Sequence, residues 1–231
     1  MSQRSVSLPF EKRLIFFVDV VAATLWFCCL ARFLILLPLV GRRFLPGGIA
    51  DFFHVVSLTP LMATSAVVLF NQHKRPFKAY FWSLLNGLKM AWICYGVIFP
   101  HPKIAKHTAY SFLITAWSTQ YFLHFTYLAF RERTRSSPFF LFWAQYNNFY
   151  VTYPVELVAE MSMIFLSLGF LTEDSYYAIV IKAVFVSYIP IAYFAWGHLK
   201  KRKAVKYSEV AEKLRAARRN EREMRSPGVR G

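Results

Sequence analysis

Six long apolar runs fill most of this chain and leave few folds open to it. A helix needs about 20 apolar residues to cross roughly 30 Å of hydrocarbon. Leu14 to Val40, Ile49 to Phe70, Ala79 to Phe99, Thr108 to Phe130, Pro138 to Leu171 and Ser175 to Leu199 all reach that length. Each run is continuously apolar, without the alternation of a barrel strand, so its backbone hydrogen bonds must close within the segment as a helix. The expectation is an all-α fold, a polytopic membrane helix bundle with six transmembrane helices. Of 231 residues, 56% are apolar and 17% charged, which is too little polar surface for a domain in water.

The fifth run would extend to about 51 Å as a single helix, longer than the hydrocarbon is thick. Asn147 and Asn148 mark the expected break, because their side chains compete for backbone hydrogen bonds and favour helix starts. The span proper then begins near Phe149, with Pro154 in its first turn, and Pro138 to Tyr146 forms a short lead-in.

Charge placement sets the orientation. With the N-terminus in the cytoplasm, the cytoplasmic segments hold Arg4, Lys12 and Arg13, then Lys74, Arg75 and Lys78, then Arg131, Arg133 and Arg135, then the tail. The opposite side holds Arg42, Arg43, Lys103 and Lys106, with Glu173 and Asp174 in the last turn. Cationic loops stay on the cytoplasmic side, so both termini are expected there. The division is a cytoplasmic segment 1–13, a six-helix membrane domain 14–199 and a basic cytoplasmic tail 200–231. The apolar run after the first dozen residues is too long for a signal-peptide core and is expected to stay attached.

The net charge of +16 does not imply nucleic acid, because 12 of the 28 Lys and Arg residues lie from Lys200 onward and the rest flank apolar runs, where they meet lipid headgroups. The tail's composition reads as a solvated or disordered segment drawn to anionic lipid, or alternatively as a surface helix with pairs such as Glu209 with Lys213. Cys28, Cys29 and Cys94 sit inside apolar runs, without metal-ligand spacing or a disulfide framework.

Ionisable groups inside a bilayer are costly, which makes each one a candidate for function. The chain has Asp19, Arg32, Asp51, His54, Lys89, His124, Glu156, Glu160 and Lys182 in its apolar runs. Arg32 and Asp51 lie near run ends and can reach water, while Lys89 and Lys182 can pair with acids across the bundle. The fifth run is the most loaded: Tyr153, Glu156 and Glu160 are spaced by three and four residues and so share one helix face. Tyr153 and Glu160 stand about 10 Å apart along the axis, within convergence of their side chains. Spacing alone leaves three roles open for them: an acid–base pair, a structural hydrogen-bond network, or an ion path.

The stretch Phe149-Tyr150-Val151-Thr152-Tyr153-Pro154, with Glu160 seven residues after Tyr153, resembles the very-long-chain 3-hydroxyacyl-CoA dehydratase family, also called protein tyrosine phosphatase-like proteins. Asp51 with His54 resembles a Glu-x-x-His pair of that family, Asp19 with Trp26 an Asn and a Trp, and Ala116-Trp117-Ser118 an Ala-Trp-Ser motif. The resemblance implies a six-spanning, multi-pass protein of the endoplasmic reticulum membrane that dehydrates long-chain 3-hydroxyacyl-CoA to trans-2-enoyl-CoA in the third step of fatty-acid elongation. It implies Tyr153 and Glu160 as the catalytic residues, no cofactor or metal, and the other elongation enzymes as partners within the lipid bilayer.

The chain departs from the family pattern at several points. Tyr121, His124 and Phe125 stand where the family has Glu-x-x-Arg-Tyr, Gln145 stands for an Arg, and Glu156 for a Gly. No cysteine is followed six residues later by an arginine, so phosphatase activity is not expected. Two rival readings accompany the dehydratase: an inactive relative acting as a scaffold, and a proton-coupled transporter using Asp19, Glu156, Glu160 and His124.

Overall fold

The computed structural model describes residues 10–71, 80–134, 137–171 and 176–225. Of the charges that orient the chain by sequence, Arg4, Lys74, Arg75, Lys78, Arg135, Glu173 and Asp174 lie outside these residues. The described residues are mostly helical and contain no strand. The helices are α1 (Phe10–Val56), α2 (Thr59–Asn71), α3 (Phe81–Ala91), α4 (Thr108–Thr134), α5 (Phe139–Asn147), α6 (Phe149–Leu168) and α7 (Tyr176–Arg225). A π-helical segment, Trp92–Ile98, continues α3, and a 3-10 turn, Ile104–Lys106, precedes α4. The chain divides into two compact units, Met1–Tyr188 and Ile189–Gly231.

In the first unit the helix that carries the first two apolar runs breaks at a single residue between them. Gly41 takes φ 72° and ψ 168°, which only glycine adopts freely, and helix resumes on either side of it. The second run is itself interrupted at Ser57 and Leu58, because Pro60 has no N–H to offer the Val56 carbonyl; the Thr59 hydroxyl donates to that carbonyl instead, at 2.8 Å. The Trp26 indole N–H donates to the same Thr59 oxygen at 2.9 Å and ties α1 to the start of α2.

Four helical stretches among the described residues are long and apolar enough to cross a membrane: Phe10–Arg42, Phe44–Leu69, Phe139–Leu168 and Tyr176–Glu221. The third and fourth runs expected from sequence are helical but fall outside that set. The α-helical part of the third ends at Ala91, where the π-helical segment takes over. The fourth, α4, is more polar because it packs against α1 and α6 and so faces protein more than lipid. The Arg42 guanidinium donates to the Thr108 hydroxyl at 2.7 Å, and the Arg133 guanidinium lies 5.9 Å from the Phe16 ring centre. Helix α4 therefore runs antiparallel to the first half of α1, its start beside the Gly41 kink.

The fifth run breaks where the sequence places the break, between α5 and α6. Asn148 does not cap with its side chain; its carbonyl accepts the N–H groups of Val151 and Thr152, both at 3.0 Å. An aromatic cluster forms the centre of the unit: Trp26 stacks on Tyr121 at 5.2 Å, and Phe53 stacks on Trp117 at 5.5 Å. Gly87 lets α3 touch α2, since a Cβ there would lie 2.8 Å from the Leu61 Cα.

The second unit is helical from Ile189 through Arg225, so the basic tail forms the surface helix rather than a disordered segment, with most of its side chains up to Glu221 exposed. Its Ala, Glu, Lys and Arg content suits a helix, and the preceding turns supply the costly nucleus. Lys206 reaches both Glu209 carboxylate oxygens, at 2.9 and 2.6 Å, as an i,i+3 pair.

Candidate functional site

Helix α6 places Glu156 and Glu160 one turn apart on its buried face, with 2% and 1% of their surface exposed. Two carboxylates this close inside an apolar bundle require a counter-charge. Lys89 of α3 supplies it: its ammonium lies 2.6 Å from Glu156 Oε1 and 2.7 Å from Glu160 Oε1. Lys89 thus pairs with acids across the bundle, as its place in an apolar run suggests.

Glu160 collects two further donors. The Trp117 indole N–H donates to Oε1 at 3.1 Å, and the Tyr188 hydroxyl donates to Oε2 at 2.9 Å. Both oxygens of Glu160 are therefore engaged. Glu156 Oε2 is buried and has no hydrogen-bond partner among the described residues. One turn before Lys89, the Asn86 amide donates to the Tyr121 hydroxyl, so α3 and α4 are joined beside the carboxylates.

Tyr153 is half-buried on the same helix, within electrostatic range of Lys89, Glu156 and Glu160. The phenol that bonds Glu160 directly is Tyr188, in an apolar run where a lone tyrosine carries no spacing signal. Asn86 did carry one, as an amide inside the third apolar run three residues before Lys89.

The remaining sequence candidates lie in other surroundings. His54 is buried among Phe53, Tyr95 and Phe99, and its Nε2 has no hydrogen-bond partner among the described residues, while Asp51 is exposed. Asp19 is buried near Arg131 and Glu132. Arg32 lies 5.9 Å from the Phe52 ring centre, and Lys182 is exposed at a half-open cavity of about 390 Å³. His124 and Gln145, two positions that depart from the family pattern, bond to each other at 2.9 Å. Thr152 ties α6 to the same helix α4, donating to the Gln120 side-chain oxygen at 3.0 Å.

The arrangement suits proton transfer. A carboxylate held away from water beside phenol hydroxyls can exchange protons with a bound organic group, and the lysine balances charge as they move. Among the described residues no group of three His, Cys, Asp or Glu side chains is placed to hold a metal ion.

Comparison with known proteins places this geometry in context. Very-long-chain (3R)-3-hydroxyacyl-CoA dehydratase PASTICCINO 2 of Arabidopsis thaliana is 22% identical over 106 residues, covering 46% of this chain and 47% of that protein. PASTICCINO 2A of Oryza sativa subsp. japonica, of the same description, matches with the same identity and coverage. The chain thus spans about half the length of the dehydratases it matches. Beta-1,6-glucan synthesis-associated protein KEG1 of Saccharomyces cerevisiae is 28% identical over 186 residues, covering 76% of this chain and 88% of that protein. No solved structure matches the chain. The family model for protein tyrosine phosphatase-like protein, PTPLA, matches residues 80–209, a stretch that contains Lys89, Trp117, Glu156, Glu160 and Tyr188. With more than half of its length under that match, the chain belongs to the protein tyrosine phosphatase-like family, as a divergent member.

Proposed function

We propose that the chain dehydrates long-chain 3-hydroxyacyl-CoA to trans-2-enoyl-CoA within a membrane, with Glu160 and Tyr153 as its catalytic residues. The observation that carries this reading is the buried Glu160 carboxylate, held beside Lys89 on the helix that bears Tyr153. In the elimination, Glu160 takes the C2 proton, which the neighbouring thioester acidifies. The C2–H electron pair becomes the C2–C3 double bond, and the C3 hydroxyl leaves as water with a proton from Tyr153. Returning the proton from Glu160 to Tyr153 resets the site. Positioned acid and base groups of this kind contribute about 10²–10⁴-fold each.

On this reading the chain crosses the endoplasmic reticulum membrane six times, with both termini in the cytoplasm. The division is an N-terminal segment 1–13, a membrane domain 14–199 and a basic segment 200–231. The apolar bundle holds the acyl chain, the cytoplasmic cations meet the CoA phosphates, and the other elongation enzymes are lateral partners.

A second reading is a non-catalytic member associated with glucan synthesis. The longer match to the glucan synthesis-associated relative, 88% of its length, favours it. So does the engagement of both Glu160 oxygens by Lys89, Trp117 and Tyr188. Purified protein in liposomes, given 3-hydroxyacyl-CoA of graded chain length, separates the two. Enoyl product that is lost in both Tyr153→Phe and Glu160→Gln supports the dehydratase. A well-folded protein with no turnover at any length supports the second reading.

A further inference from the structure

We infer that Lys89 and Glu156 form a binding site for a hydroxyl group, which donates to Glu156 Oε2 and accepts from the Lys89 ammonium. Glu156 stands where the family pattern usually has glycine, so its carboxylate is a departure from that pattern. Its Oε1 is taken by Lys89 at 2.6 Å, whereas Oε2 is buried with no hydrogen-bond partner among the described residues. A buried carboxylate oxygen without a donor is unfavourable, and such an atom in a native fold calls for a partner. Glu160 shows the contrast, because both of its oxygens are met by protein donors. The acceptor left open in the cluster therefore belongs to Glu156.

Lys89 adds the complementary half. An ammonium has three N–H groups. The two ion pairs use two of them, which leaves one N–H of the Lys89 ammonium for a ligand. A ligand group here has to donate to one atom and accept from the other. A carbonyl accepts but has no hydrogen for Glu156, a methylene does neither, a carboxylate is repelled by Glu156, and an ammonium is repelled by Lys89. A neutral hydroxyl meets both requirements. Its identification as the 3-hydroxyl of the acyl substrate rests on the dehydratase reading above; the preference for a hydroxyl does not. A site built this way discriminates against analogues that lack the hydroxyl, because they leave Glu156 unmatched.

Competition binding tests the inference on purified full-length protein in liposomes. The probes are acyl-CoA ligands of one chain length carrying a 3-hydroxyl, a 3-oxo group or no substituent. The wild type should bind the 3-hydroxy ligand at least about tenfold more tightly than the other two, as expected for a hydrogen bond to a charged group. Glu156→Leu should bring the three ligands within about twofold of one another, because the 3-hydroxy ligand loses its acceptor and the other two no longer leave a carboxylate unmatched. Glu156→Gln, which keeps the side chain's shape, should reduce the preference at least about threefold and serves if the leucine variant fails to fold.

Equal discrimination in the wild type and the folded variants overturns the inference; it would mean that Glu156 Oε2 is met by a bound water only or by a proton shared with Glu160. Failure of folded wild type to bind the 3-hydroxy ligand overturns it as well. Turnover measured on the same samples separates the two proposals. Discrimination that depends on Glu156 without enoyl product sinks the dehydratase and leaves the hydroxyl site standing. Enoyl product with discrimination unchanged by Glu156→Leu does the reverse.

Discussion

Two buried polar groups in the first unit are built on opposite principles. On α6, Glu156 and Glu160 share one lysine, and Glu160 has further donors from α4 and α7. On α1, His54 lies among aromatic rings, its Nε2 without a hydrogen-bond partner among the described residues. The difference is one of charge. A neutral imidazole can sit in an aromatic cage at modest cost, whereas two carboxylates need a compensating cation and several donors to stay in the same apolar medium. Of the two, the carboxylate cluster holds the more energy and so offers the sharper tests.

The largest expected effect follows from removing the shared cation. Lys89→Met leaves two buried carboxylates uncompensated and should lower stability by about 3–5 kcal/mol, read as the thermal unfolding midpoint in detergent. A loss under about 1 kcal/mol would mean that water already reaches the carboxylates, and the contrast with His54 would fail. Tyr188→Phe removes one donor to a charged acceptor and should cost about 1.5–3 kcal/mol. The smallest change should come from His54→Leu, within about 1 kcal/mol of the wild type, because the histidine makes no side-chain hydrogen bond through Nε2 that leucine would lose. A large loss there would reveal a bonding role for the imidazole and put the two sites on the same footing.

Apolar runs and helix-breaking residues made much of the fold legible in advance. Asn147 and Asn148 marked the α5–α6 break, because short polar side chains interrupt a run in a way that sequence alone reveals. The Ser57–Leu58 interruption was hidden, since it depends on Pro60 together with a hydroxyl one residue earlier. The fourth run carries more polar residues than its neighbours because a helix packed against α1 and α6 can satisfy them within the protein, as Gln120 does by accepting from Thr152 of α6.

At the site, the three-and-four spacing placed Glu156 and Glu160 on one face of α6, and a lone lysine in an apolar run foretold an acid partner. Tyr188 was out of reach, since its bond to Glu160 joins residues 28 apart on different helices. The contact between His124 and Gln145 was equally hidden, although both residues stood out as departures from the family pattern.

The central claim, that Glu160 moves the C2 proton of an acyl thioester, is tested most directly by running the reaction backwards in heavy water. Hydration of long-chain trans-2-enoyl-CoA by the liposome-embedded protein should place one deuterium at C2 of the 3-hydroxyacyl product, and Glu160→Gln should abolish that incorporation while the variant stays folded. Equal incorporation by the wild type and Glu160→Gln, or none by a folded wild type, would contradict the account.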